Sequence, residues 1–225
     1  MPNLPNIDAV IRREQDALAV ETRIAQCPPF VAVNRMDDVA QLPTKLRWDH
    51  KATVEPLANA KGVAFLVNCE SLNSTVLWVG TDNAQYREDY LSFLNTTYKL
   101  GISEIPAPYD VDHLYNRSRA QAYGLRFIRL ALVGQRANRS HGAAYEKDVS
   151  KNEALRERRD MKLMDEITSM KYFGFLSPLR DDPRDDEISA YATFAATKLA
   201  LDPEEVRNSI LSLRRKASTP WARKR

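Results

Sequence analysis

Two aspartates, an asparagine and two histidines fall in one stretch, YDVDHLYNRSRAQAYGLRFIRLALVGQRANRSHG, residues 109–142. Asp110, Asp112 and His113 open it, and Asn138 and His141 close it. The whole chain has three histidines, so most of its imidazole chemistry is gathered here. Carboxylate and amide oxygens are hard ligands suited to Mg²⁺, which keeps several of its waters and needs only one or two protein groups. An imidazole with an ordinary pKa near ~6.5 takes a proton from water at neutral pH. With a cation to offset charge on a phosphate, that set is sufficient for phosphodiester hydrolysis. The same residues also describe an ordinary polar corner, with His113 bonded within a strand end.

Whether the groups converge depends on the elements that carry them. Pro106 and Pro108 disfavour helix before the stretch, so 109–115 is expected to be extended. NRSRAQAYG then reads as a short helix or loop, LRFIRLALV as an apolar strand, and GQRANRSHGAAYEK as a helix. The expected order is strand, excursion, strand, helix. Successive strand residues point to opposite faces, so Asp112 and His113 serve one phosphate only if the strand ends between them.

YDVDH followed by a strand and ANRSHG resembles the HNH, or ββα-metal, nuclease motif, in the variant found in the HNH domain of CRISPR RNA-guided DNA endonucleases. The resemblance covers residues 109–142. It implies Asp112 as first metal ligand, His113 as catalytic base, Asn138 as the ligand from the helix, and Asp110 as a supporting carboxylate. It implies Mg²⁺ as cofactor, with Mn²⁺ or another divalent ion in its place, and nucleic acid as substrate, DNA favoured over RNA. The pattern's middle Asn has no counterpart, and Arg129 stands in its place. Arg117, Arg119, Arg136 and Arg139 offer guanidinium groups that match phosphate bidentately, and His141, three residues after Asn138, shares its helical face. A solvated helix face gives the same arginine pattern.

The remaining chain reads as an α+β fold: a small antiparallel or mixed sheet with a ββα-metal-like unit, followed by a helical region. An N-terminal α/β layer is expected over 1–108. It starts with a helix over 6–26 that CPPF stops, because proline cannot continue it. The runs FVAVNRM, VAFLVNCE and STVLWVG follow as strands, and then an amphipathic helix over 83–101. The ββα unit occupies 109–150, and helices are expected over 151–171, 183–200 and 203–216. A helix-turn-helix is expected at 192–214, with Ala196, Ala200 and Val206 at its small and apolar positions. Its second helix would carry Arg207, Asn208, Arg214 and Arg215; simple packing of two helices gives the same spacing.

Residues 1–100 hold 10 Lys and Arg against 12 Asp and Glu, whereas 101–225 hold 23 against 18, which places the attraction for polyanions in the second half. It is steepest in RRKASTPWARKR, where Arg214, Arg215 and Lys216 lead into a basic tail over 217–225. Cys27 and Cys69 lack metal-ligand spacing and read as buried thiols, and His50 as a structural histidine. No eighteen-residue apolar run and no basic-then-apolar leader is present, so a cytoplasmic protein without a membrane span is expected. Two functions fit: a metal-dependent endonuclease with a histidine base, or a non-catalytic nucleic-acid-binding or protein-interaction protein with a degenerate HNH-like corner.

Overall fold

The computed structural model describes residues 6–25, 27–39, 52–142, 160–178 and 185–218. Helix α1, Ile7–Ala25, repeats buried Val10, Ile11, Glu14, Ala17, Leu18 and Thr22 at three- to four-residue spacing. It starts where the Asn6 side chain accepts the Ala9 N–H at 2.8 Å. Strands follow at β1, Phe30–Val33, β2, Ala52–Pro56, β3, Ala64–Cys69, and β4, Ser74–Gly80. Helix α2 is Tyr86–Tyr98, β5 is Tyr109–His113, α3 is Arg117–Ala122, β6 is Phe127–Gly134 and α4 is Gln135–Gly142. The chain continues with β7, Met161–Leu163, α5, Glu166–Tyr172, α6, Asp185–Phe194, and α7, Pro203–Ser218.

The fold is α+β, with an antiparallel sheet in the order β2-β3-β4-β6-β1-β7 and β5 paired to β6. Strand β6 is the hub. Its first residues lie between β4 and β1, through Trp78↔Arg129 and Ala32↔Ile128, and the remainder pairs with β5 from His113↔Leu130 to Tyr109↔Gly134. One core forms where Val10 and Ile11 of α1 and Tyr90, Phe93 and Leu94 of α2 meet Leu77, Val79, Val111, Leu130 and Leu132. A second cluster joins Ile167, Met170, Ile188, Tyr191, Leu199, Val206 and Ile210 of the later helices to Ala19 of α1.

Two elements depart from the sequence expectation. Ala52–Pro56 is an edge strand that its partly exposed ATVEP pattern conceals. Met161–Leu163 falls inside the helix expected over 151–171, yet it pairs with β1; the helix begins at Glu166, where the Asp165 side chain accepts the Thr168 N–H at 2.9 Å. The rest of that expected helix, 151–159, lies outside the described residues, as do His50 and residues 219–225 of the tail. Among the described residues no helix is long and apolar enough to cross a membrane.

Buried Asp89 at the start of α2 accepts the backbone N–H groups of Lys61 and Gly62 and the Asn83 amide, the last at 2.8 Å. This carboxylate ties the β2–β3 turn to α2.

Candidate functional site

Strand β5 remains paired through its whole length, and the ladder continues one residue further, since Leu114 N–H donates to the Arg129 carbonyl at 3.0 Å. The backbone therefore stays extended across Asp112 and His113, and the two side chains leave on opposite faces. Asp110 and Asp112 share one face; Val111 and His113 share the other. The strand break that would let Asp112 and His113 flank one phosphate is absent from this segment.

On the first face, helix α4 follows β6 directly and lies back over the hairpin, completing a strand–strand–helix unit. Asn138 Nδ2 donates to Asp110 Oδ2 at 3.2 Å, so these two members of the expected site touch. Asp112 faces a different partner: its carboxylate lies 2.6 Å from the Lys171 ammonium on α5, and that lysine side chain is only 4% exposed. The carboxylate assigned as first metal ligand thus neutralises a buried cation. His141, 1% exposed, holds its Nε2 3.1 Å from the Phe175 carbonyl, and Ser140 Oγ accepts the Ser177 N–H at 2.9 Å. The helical face expected to meet phosphate is therefore packed against the segment after α5.

On the second face, His113 is 8% exposed and its ring lies 4.4 Å from that of Tyr86. Burial, followed by the positive charges of Arg117, Lys171 and Arg87, pushes its pKa down to about 3. A general base works best with a pKa near the operating pH, and this imidazole is a weak proton acceptor at neutrality. Among the described residues no group of three or more His, Cys, Asp or Glu side chains is placed to hold a metal ion. In the donor set Asp110, Asp112 and Asn138, Lys171 holds Asp112 Oδ2 and Asn138 holds Asp110 Oδ2, so a cation here would have to use the remaining oxygens.

The arginines divide. Arg117 at the start of α3 and Arg136 and Arg139 on α4 reach the surface, Arg139 donating to Gln135 Oε1 at 3.5 Å. Arg119 is buried, with its guanidinium 5.1 Å from the Tyr115 ring centre, and packs rather than reaches outward. Arg214 bonds Asp185 at 3.0 Å and joins α7 to α6, Arg215 is exposed, and the Lys216 side chain lies outside the described residues. In the expected helix-turn-helix, Ala200 takes a left-handed backbone (φ 55°) and Leu199 and Val206 are buried. The exposed beginning of α7 is Asp202, Glu204 and Glu205, and Asp202 caps it by accepting the N–H groups of the two glutamates at 2.9 and 2.8 Å. A recognition helix reads bases with this end, and here it is acidic.

Sequence reasoning missed a buried polar group beneath α1. Glu14 is 7% exposed and accepts hydroxyl bonds from Tyr90 at 3.2 Å and Tyr98 at 3.4 Å. Burial raises its pKa to about 7, against the opposing pull of Arg129. Arg129 is 4% exposed and bonds Glu21 at 3.3 Å. Two signals in the sequence point there: Glu14 falls on the apolar stripe of α1, and Arg129 interrupts an apolar strand. Charged residues at such positions are rarely buried unless paired.

Charge along the chain carries another signal. Residues 114–145 contain six arginines and no aspartate or glutamate. Arg117, Arg126, Arg136 and Arg139 of this run reach the surface. Comparison with family models, with curated proteins and with solved structures returned no match.

Proposed function

We propose that this chain is a non-catalytic nucleic-acid-binding protein of the cytoplasm, in which the strand–strand–helix corner is a scaffold and the arginines around it bind phosphate. The acid-free run over 114–145, with Arg117, Arg126, Arg136 and Arg139 at the surface, carries this reading. Strand β6 separates Arg126 from Arg136, and its eight residues span ~26 Å at ~3.3 Å per residue. Cations spaced along the hairpin suit an extended polyanion, and duplex DNA is favoured over RNA as the partner.

A second reading, the metal-dependent endonuclease, is favoured by one observation: the hydrogen bond between Asp110 and Asn138 across the strand–strand–helix unit. It would require Asp112 to exchange Lys171 for a cation and His113 to reach water.

Fluorescence anisotropy with labelled duplex DNA, single-stranded DNA and RNA tests the first reading. Replacing Arg117, Arg136 and Arg139 together by Ala is expected to weaken binding and to shallow the log K against log salt slope by about 0.9 for each phosphate no longer neutralised. An unchanged slope rejects it. Plasmid cleavage by the pure protein in Mg²⁺ or Mn²⁺, abolished in His113→Ala, would establish the second reading instead.

A further inference from the structure

Three cross-strand pairs line a cavity on one face of the sheet. Cys69 lies opposite Ser74, Val67 opposite Val76, and Trp78 opposite Arg129, and directly opposed residues project to the same side. With Glu21 of α1 they border a space of about 40 Å³.

The polar groups of this cavity are unbalanced. Trp78 is 2% exposed, and its Nε1–H has no hydrogen-bond partner among the described residues. Arg129, buried beside it, spends one hydrogen bond on Glu21, whereas a guanidinium carries five N–H donors. A buried donor without an acceptor is costly, as the Trp78 Nε1–H is, and the Arg129 cation borders the same space where an acceptor would sit. A planar oxyanion meets this demand, because a guanidinium engages carboxylate oxygens in pairs and the indole N–H supplies a third bond. Glu21 is the competitor. Its side chain is 28% exposed and has a route to water, which would leave the Arg129 cation to a ligand. Val67 and Val76 provide hydrocarbon wall for a short apolar chain.

We propose that this cavity binds a short-chain monocarboxylate, of acetate or propionate size, with its carboxylate on Arg129 and Trp78 and its alkyl end against Val67 and Val76. Nucleic-acid binding is a separate property and does not enter.

The test is titration of the ¹⁵N-labelled full chain with sodium propionate, read at the Trp78 indole N–H resonance, which is identified by its disappearance in Trp78→Phe. A saturable shift is expected with propionate, and at least tenfold weaker binding with propionamide, which keeps the shape and lacks the charge. Thermal stabilisation by propionate gives a second reading of affinity that does not need the indole signal. By that measure Trp78→Phe, which keeps an aromatic ring and removes the donor, should weaken binding about tenfold. Glu21→Gln should tighten it by removing the competing charge. A shift that follows added sodium chloride equally, equal affinity for propionamide, or unchanged affinity in Trp78→Phe overturns the proposal.

Discussion

Asp112 and Lys171, 59 positions apart in the chain, form an ion pair of 2.6 Å whose lysine is almost wholly buried. The pair joins β5 to α5, and it gives Asp112 a structural task. Breaking a buried pair leaves one charge uncompensated, which typically costs about 3 kcal/mol or more. Asp112→Ala is therefore expected to lose about that much stability in urea denaturation. Asp112→Asn combined with Lys171→Met should recover part of it. A stable Asp112→Ala protein would contradict the pairing.

His113 should stay neutral across the physiological range. Its folded pKa, about 3, lies below the ordinary 6.5, so the unfolded chain binds the extra proton between those values. Stability is then fully present above about pH 6.5 and is lost as pH falls towards 3. The imidazole carbon-bound proton resonances of His113 should not titrate between about pH 5 and 8, and His113→Phe should remove this share of the acid sensitivity. A midpoint near the ordinary histidine value would show that the ring is open to water.

Glu14 acts with the opposite sign. Its folded pKa is raised from 4.5 to about 7, so its contribution is fully present below about pH 4.5 and is lost as pH rises through 7. The groups around it are Tyr90 and Tyr98 on α2, Arg13 on α1 and Arg129 on β6, and the tyrosine pKa values are raised, chiefly by burial, so the phenols stay neutral. Between about pH 6.5 and 8, where the His113 contribution is complete and no longer changes with pH, melting temperature should fall as pH rises. Glu14→Gln should flatten that fall; a slope identical to that of the unmodified chain would locate the proton elsewhere.

Gly62 is predicted to resist substitution. A Cβ there would meet the Asn83 side chain, which is itself held by Asp89. Gly62→Ala should cost ~1–3 kcal/mol in chemical denaturation, as expected for overpacking. Asn83→Ala should cost stability alone, and the double variant should be closer to Asn83→Ala than to the sum, because the clash has been removed.

The fold was legible wherever local pattern decides it. Alternation and apolar runs marked β1, β3, β4 and β6, and Asp202 with Pro203 marked the start of α7 to the residue. Strands β2 and β7 were not legible: β2 is a partly exposed edge strand with no apolar run, and β7 is three residues whose extended form depends on β1, far upstream in the chain. At the candidate site the residue types were legible and their directions were not. One turn of the backbone between Asp112 and His113 would have brought them together, and the ladder to β6 decides that they part. The lysine that claims Asp112 arrives from another element, which no local spacing announces.

Strand β1 has as partners β6 and β7, both far downstream in the chain. On a ribosome, Phe30–Val33 emerges about 93 residues ahead of Arg126, whose N–H donates to the Val33 carbonyl at 2.9 Å. At ~5–20 residues per second, that is a wait of roughly 5–20 s with four apolar or aromatic residues lacking both neighbours. Nascent chains stalled before β6 should therefore be the species most prone to capture by holding chaperones or to self-association, and release of the stall just beyond residue 163 should end that vulnerability at once.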